Sequence, residues 1–495
     1  MAVDMVVGAA PTVLIFHGRF RIGMDRWVYL PFDVPEGVRR ITVTVTHDRL
    51  PRLGSTGNVL DLGIFGPAGS GGPGDAGRAG FRGWSGGARS RFTISPTDAT
   101  PGYLPGPIDP GSWQVALGPV VLNPFGMRWG VRVELEHGLD SDGANPDGID
   151  PAADRPPPLA VPGRGPGWYR GDLHLHSVHS DGDRDPDDLA AAARAAGLDF
   201  IASTEHNTCA ANRVWGAHRL DGLLVIAGQE VTTRHGHWLA IGLPPDGWVD
   251  WRYGPGSGRF PGFAAAVRDR GGLVVAAHPS VPLPGCAWTF GYRHTDAIEV
   301  WNGVWNADDE VSLRIWHALL RRGRRIVAVA GSDSHAAHQP VGGPQTVVYA
   351  EALSTPAILA GLRRGRGYLA ASADVTVDLT ACVDGSPDQV TGPGQILAVP
   401  SGGMATVTAT VSGAPHSRVT LITADGPVAR VELDRSGTGT VRWSVATGRS
   451  APGVGPLVRT GEQRFARVEV RRFGGGRFRS RMVALTNPVW LDQRA

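Results

Sequence analysis

The sequence contains no lysine; all 48 of its basic residues are arginine. That excludes Schiff-base chemistry on a lysine amine and a phosphate-binding loop built around a lysine. Cysteine is scarce too. Cys209, Cys286 and Cys382 are the only three in 495 residues. An odd count with no paired spacing argues against both a disulfide framework and a thiolate metal site. No apolar run approaches the length of a membrane span, and the opening Met-Ala-Val-Asp has no basic segment before its apolar stretch; Arg19 and Arg21 follow it instead. A cytoplasmic protein with no membrane partner is the expectation. Excess charge is also lacking. A net charge of +2 gives no electrostatic reason to expect membrane binding, and extended nucleic acid is weakly supported as a partner.

What is present is a long globular chain. At 495 residues, 42% hydrophobic and 19% charged, it exceeds one ordinary core, and two to four domains are expected. Residues 1–137 read as an N-terminal β-sandwich: Ile41–Thr46 alternates with period two, and similar runs recur at Val59–Phe65, Ser90–Ile94, Trp113–Leu117 and Val131–Leu135 between Gly/Pro-rich turns. Residues 138–167, crowded with Gly, Pro and Asp and including Arg155-Pro-Pro-Pro158, read as a linker. From 168 to 371 short apolar runs alternate with helical patterns, predicting βα units on a mainly parallel sheet. The first helix is signalled by Asp185 as N-cap, Pro186 at N1 and Asp188 at N3. Further helices are expected at Phe263–Arg270, Asp309–Arg322 and Pro356–Arg364. Residues 372–495 return to β periodicity (Ala405–Val411, Val419–Ile422, Val441–Val445, Ala466–Val470) and read as a second sandwich. The fold class is multidomain, α/β plus β.

Twelve of the sixteen histidines fall between His174 and His338. In Asp172-Leu-His174-Leu-His176, histidines at i and i+2 of a strand point to one side and can grip one ion together. Other apolar runs deliver similar residues: Phe200–His206 ends in Glu205 and His206, and Leu223–Gly228 leads into Gln229 and Glu230. His237 opens the run His237–Gly242, just after His235. Leu273–Ala277 runs into His278-Pro279, Ile298–Asn302 carries Glu299, Trp301 and Asn302, and Ile326–Ala330 runs into Asp333-x-His335. Seven strands presenting such residues mostly at their C-terminal ends is how barrel enzymes assemble a site.

Each element has a plainer alternative. A lone strand-end histidine such as His206 is usually a hydrogen-bonding partner. Glu230 could cap a helix, His278-Pro279 could end a strand, Asp333 and His335 could pair structurally, and Asp181-Gly182 could start a turn. His179, His218, His294 and His338 fit surface or supporting positions, and His317 lies in an amphipathic helical run. The coincidence of so many elements in one segment favours a joint metal site.

Together these residues resemble the polymerase and histidinol phosphatase (PHP) superfamily. The likeness runs through His174-x-His176 with Ser180-Asp181-Gly182, Thr204-Glu205-His206-Asn207, Glu230, His278-Pro279 and Asp333-x-His335. Phe81-Arg-Gly-Trp-Ser-Gly86, Gly236-His237 and Thr486-Asn-Pro-Val-Trp490 are similar to its carbaryl-hydrolase-like branch. The resemblance implies a distorted (β/α)7 PHP barrel, flanked here by the two sandwiches. It implies two or three divalent metal ions: His174, His176, Glu230 and Asp333 for the first; Glu230, His237 and His278 for the second; Asp181, His206 and His335 for a third. Glu205 stands where the family usually has aspartate, and His235 competes with His237.

Imidazole and carboxylate ligands without thiolate suit Zn, Mn or Fe. Two ions sharing Glu230 would lie about 3.5–4 Å apart, and a hydroxide bridging them would be the nucleophile. Glu230 is thus part of the catalytic set, with Asp333 or His335 managing the leaving-group proton. The favoured reaction is phosphoester hydrolysis, on a phosphomonoester or a nucleotide or oligonucleotide 5′ end, with Arg213, Arg234, Arg252 and Arg293 as candidate phosphate binders. The alternatives are a carbamate or carboxylic ester hydrolase, with an apolar pocket drawn from Trp215, Trp238, Trp251, Trp288, Trp301 and Trp305, and a non-catalytic binding protein on a degenerate barrel. The substrate is a small molecule in the first two readings, and oligomeric state is not legible.

Overall fold

The computed structural model describes residues 11–24, 27–48, 57–69, 80–138, 154–386, 389–400, 403–446, 465–474 and 480–494. Most of the expected linker, 139–153, lies outside them. The N-terminal part forms β1 (Thr12–Phe20), β2 (Val28–Val34), β3 (Val38–His47), β4 (Val59–Phe65), β5 (Phe81–Gly86), β6 (Arg91–Ile94), β7 (Gly111–Val121) and β8 (Met127–His137). They make two antiparallel four-stranded sheets, ordered β1-β8-β3-β6 and β2-β7-β4-β5. Alternating side chains such as Phe32, Val34, Ile41, Val43, Trp113 and Val133 fill the core between them.

The middle part comprises β9 (Gly167–Asp172), α1 (Pro186–Ala195), β10 (Phe200–Ser203), β11 (Leu224–Thr233), β12 (Gly236–Ile241), α2 (Phe260–Asp269), β13 (Leu273–Ala276), β14 (Ala297–Asn302), α3 (Ala307–Arg321), β15 (Val327–Gly331), β16 (Gln345–Ala350), α4 (Thr355–Arg363) and β17 (Gly367–Ala370). The Asp185 side chain caps α1, accepting from the Asp188 N–H at 2.8 Å. The strands β10, β13 and β15 are buried along their whole length, which is why they read as unbroken apolar runs.

Strands β9 to β15 lie side by side in sequence order, and a parallel bridge from Leu175 to Ser334 links the two ends of the row. The row is mainly parallel, four of its six neighbouring pairs being so, but the expectation of a helix after each strand needs correction. Strand β12 is antiparallel to both β11 and β13, because only two residues, Arg234 and His235, separate it from β11, too few for a crossover. Only α1, α2 and α3 connect successive strands of the row. The reversal matters for the site: the start of β12 lies at the same rim as the C-terminal ends of its neighbours.

The C-terminal part adds β18 (Thr376–Val383), β19 (Ile396–Pro400), β20 (Met404–Ser412), β21 (Ser417–Thr423), β22 (Gly426–Glu432), β23 (Gly439–Ala446), β24 (Phe465–Phe473), β25 (Ser480–Thr486) and β26 (Val489–Arg494). Its three-stranded sheet β18-β20-β23 packs across a core shared with β21, β24 and β26. Through the β17–β25 pairing its larger sheet is continuous with the central strands. Among the described residues no helix is long and apolar enough to cross a membrane.

Candidate metal centre

The rim where β9 to β15 end gathers the acids and imidazoles. The histidine pair lies just past the end of β9 rather than on it, held extended by the Leu175–Ser334 bridge and by the Leu175 N–H donating to the Thr204 hydroxyl at 2.9 Å. The Asp172 carboxylate ties three chain segments together, accepting from the backbone N–H groups of His174, Ser332 and Gly342 at 3.2, 2.9 and 2.9 Å. Gly331, the last residue of β15, has no room for a side chain: a Cβ there would lie 2.4 Å from His174 Cβ and 2.8 Å from Glu299 Oε1. Asn207, His278 and Asp333, just beyond β10, β13 and β15, adopt φ of 55°, 25° and 51°. Left-handed backbone at three non-glycine residues costs free energy and concentrates where function demands a particular side-chain placement.

Ligand-type atoms gather in four overlapping groups: His174, His278 and Asp333 make one, and of the other three, two share Glu230 and one holds Asp181. In the first of these three, His174 Nε2 and His176 Nε2 each lie 3.4 Å from Glu230 Oε2, and 3.4 and 3.1 Å from Asp333 Oδ1. In the second, Glu230 Oε1 lies 2.9 Å from His237 Nδ1 and 3.2 Å from His278 Nε2. In the third, Asp181 Oδ1 lies 3.5 Å from His206 Nε2, 3.3 Å from His335 Nε2 and 3.9 Å from His176 Nδ1. His206 also turns Nδ1 to within 2.7 Å of Glu230 Oε2 and 2.6 Å of the Thr232 hydroxyl. His237 rather than the exposed His235 joins the cluster.

The residues present fit metal ions. His174 Nε2 and His176 Nε2 are fully buried and make no hydrogen bond, which is costly unless another partner is intended. Tetrahedral bonds of about 2.0–2.1 Å to nitrogen and oxygen place ligand atoms roughly 3.3 Å apart, matching the spacings in the first group. The outer ring nitrogens are held as ligands require. His174 Nδ1 faces Glu299 at 3.1 Å and His335 Nδ1 donates to the Asp333 carbonyl at 2.8 Å, so Nε2 of each carries the free lone pair. Burial acts to raise the Glu230 carboxyl, but His206, His174 and His237 hold it well below the usual range; Asp333 is likewise held down by His174 and His176. Against the opposing effect of burial, Glu230 and Asp181 push His206 up to about 10.

Glu299 and Glu205, both singled out in the sequence, brace the cluster from behind. Glu299 also accepts from the His278 N–H at 2.8 Å and from Asn302 Nδ2 at 3.0 Å. Glu205 accepts from the Ser177 N–H at 3.1 Å, from the Ser180 hydroxyl at 2.5 Å and from the Ser177 hydroxyl, bracing the loop that presents Asp181. Arg89 of the N-terminal part donates to the Val178 and Ser180 carbonyls of the same loop at 2.5 and 3.0 Å. Replacing Glu299 with Gln should weaken metal binding or lower activity by about 10–100-fold while leaving the far-ultraviolet circular dichroism unchanged; metal titration of the folded variant checks it.

Of the four arginines expected to bind phosphate, the structure brings Arg234 alone to the cavity beside the cluster, its guanidinium 4.6 Å from the Trp27 ring. Arg213 is bound to Asp154 at 2.7 Å and lines a different cavity. Arg252 is buried, paired with Asp250 at 2.8 Å and with Tyr29 at 2.7 Å. Arg293 is exposed and outside the cavity lining. The expected tryptophans do not line the cavity either: Trp215, Trp238, Trp251, Trp301 and Trp305 are buried in cores, and Trp288 packs on Phe260 and Phe290. Trp27 and Trp84 take their place.

No family model matches the chain, and no curated protein matches it. Among solved structures, a two-domain Bacteroides vulgatus protein described as containing a PHP-like metal-dependent phosphoesterase is similar at 16% identity, covering 68% of this chain and 100% of its own, with a TM-score of 0.35. A Bifidobacterium adolescentis protein described as a metal-dependent phosphoesterase is 19% identical over 42% of this chain and 96% of its own, TM-score 0.28. A Chromobacterium violaceum amidohydrolase, with bound sulfate and no metal, is 19% identical over 35% of this chain and 89% of its own, TM-score 0.26.

Proposed function

We propose that this protein is a metal-dependent hydrolase of the PHP type, acting on a small phosphoester. The observation that carries the reading is Glu230, whose two oxygens face different imidazole pairs, His174/His176 and His237/His278. A carboxylate so divided suits a bridge between two divalent ions of Zn, Mn or Fe type. When bound, such ions supply Lewis acidity and activate water near neutral pH. Asp333 would complete the first group, and Asp181, His206 and His335 would hold a third ion where one binds.

The chain's own residues account for the remaining chemistry. His335, fixed through Nδ1 to the Asp333 carbonyl and part-exposed, turns Nε2 towards Asp181 at 3.3 Å, and where no third ion is bound it is placed to move a proton to the leaving oxygen. Arg234 is the one arginine lining the cavity among the described residues, which favours an anionic phosphoryl group. The row β9–β15 with its Leu175–Ser334 bridge supports a distorted barrel, and residues 1–137, 168–371 and 372–495 are taken as its flanking and central units. A second reading, carbamate or carboxylic ester hydrolysis, draws on the apolar wall made by Trp27, Val59 and Val120. The ligand groups are complete, which opposes a degenerate, non-catalytic scaffold.

The test is turnover of phosphomonoester, phosphodiester and aryl-carbamate substrates by metal-reconstituted protein. Phosphate release is expected. Aryl alcohol released from the carbamate alone would transfer the assignment to the second reading, and no turnover of any of the three would overturn the hydrolase assignment.

A further inference from the structure

The cavity beside the cluster, about 410 Å³ in volume, is built from two distant parts of the chain. One wall carries Asp181, His206 and His237; the other is a face of the N-terminal sandwich with Trp27, Val59, Asp61, Trp84 and Val120. That second wall is apolar, and two of its members remain unusually exposed for valines on strands, Val59 at 37% and Val120 at 42%. Asp61 is the exception within it. Among the described residues its carboxylate makes no hydrogen bond or ion pair, and it lines the cavity half-buried. Burial pushes its carboxyl up to about 7, with Arg234 and His206 acting to lower it. An acid with no protein partner in an otherwise apolar wall leaves its oxygens open to accept a hydrogen bond from a ligand.

The docking of the two walls is close. Gly102 of the sandwich packs so that a Cβ would lie 2.6 Å from the His179 carbonyl oxygen, and the Thr208 hydroxyl donates to the Gly102 carbonyl at 2.8 Å. A small molecule engaged by the metal cluster therefore has its remaining part pressed against the sandwich.

We propose that the N-terminal sandwich forms the subsite for the departing part of the substrate, and that Asp61 is a specificity-determining residue there, selecting a flat apolar group that carries a hydrogen-bond donor, an ammonium or a hydroxyl. The proposal deepens the hydrolase reading and rests on it for the word substrate; the binding itself is testable without turnover. Trp27, Val59 and Val120 accept the apolar face, while Asp61 accepts the donor. A site built to bond a polar group discriminates strongly against the analogue that lacks it.

The experiment measures binding of benzylamine, benzyl alcohol and toluene to the full-length wild type, Asp61→Asn, Asp61→Ala and Val120→Trp by ligand-observed NMR. The wild type is expected to bind the two donor-bearing probes about tenfold or more tightly than toluene. Asp61→Ala should erase that preference, and Asp61→Asn should erase it for the ammonium while retaining part of it for the hydroxyl. Val120→Trp, on an exposed position, should weaken all three by filling the subsite, which keeps the location testable if the Asp61 variants fold poorly. Equal binding of donor-bearing probes to wild type and Asp61→Ala, or no preference in the wild type, overturns the proposal. Loss of Asp61-dependent binding with turnover intact condemns the subsite alone; absence of turnover with that binding intact condemns the hydrolase reading alone.

Discussion

Glu230→Ala is expected to lower hydrolysis by at least about 1,000-fold and to release the paired ions. The carboxylate is 0% exposed and its two oxygens face four imidazole nitrogens of the first two groups at 2.9–3.4 Å. Among the described residues no other acid gathers with His237: Asp333 joins His174 and His278, and Asp181 joins His176, His206 and His335. Several kcal/mol of transition-state stabilisation come from a paired metal site, and each 1.4 kcal/mol lost is about tenfold in rate. Metal content by mass spectrometry, read beside kcat/KM, checks it. A variant that keeps its metal and most of its rate would remove Glu230 from the centre of the account.

The second large effect concerns stability. Trp251→Ala is expected to destabilise the junction between the sandwich and the metal-bearing part by about 3–5 kcal/mol. Trp251 is 1% exposed and meets Trp84 at 4.4 Å between ring centroids, Trp248 at 5.9 Å and Trp27 at 6.0 Å. The stacked Phe81–Trp248 pair, 4.5 Å apart, extends the cluster across the same junction. Removing the central indole leaves a cavity that its rigid neighbours cannot fill. Denaturant titration followed by tryptophan fluorescence should show an earlier transition. A change within about 0.5 kcal/mol, the range of a surface substitution, would mean that the sandwich docks by other contacts.

The candidate ligands were legible because most sit where a short apolar run ends. His174, His176, Glu230, His278 and Asp333 all announce themselves in this way, and the cluster gathers all of them. Glu299 stood out at the end of its run, but its supporting role, like that of Asp172, comes only from what the fold brings against it. Sequence direction misled in one place. The parallel expectation overlooked that Thr233 and Gly236 are two residues from being neighbours, a hairpin spacing with Gly236 at φ 108°. The arginines failed for a different reason. Arg252 has its acid only two positions away, at Asp250, and Arg213 has its own in the distant Asp154; neither is spare for a ligand. Asp61 and Trp27 belong to the cavity through docking of a part more than a hundred residues away from His174 in the chain, a contact that no local pattern encodes.

The most direct measurement is anomalous diffraction from crystals of the wild-type protein grown with zinc or manganese. The account predicts two strong peaks, one on either side of Glu230: the first among His174, His176 and Asp333, the second against His237 and His278. Active protein whose anomalous peaks lie away from both Glu230 oxygens, with these side chains ordered as described, would contradict it.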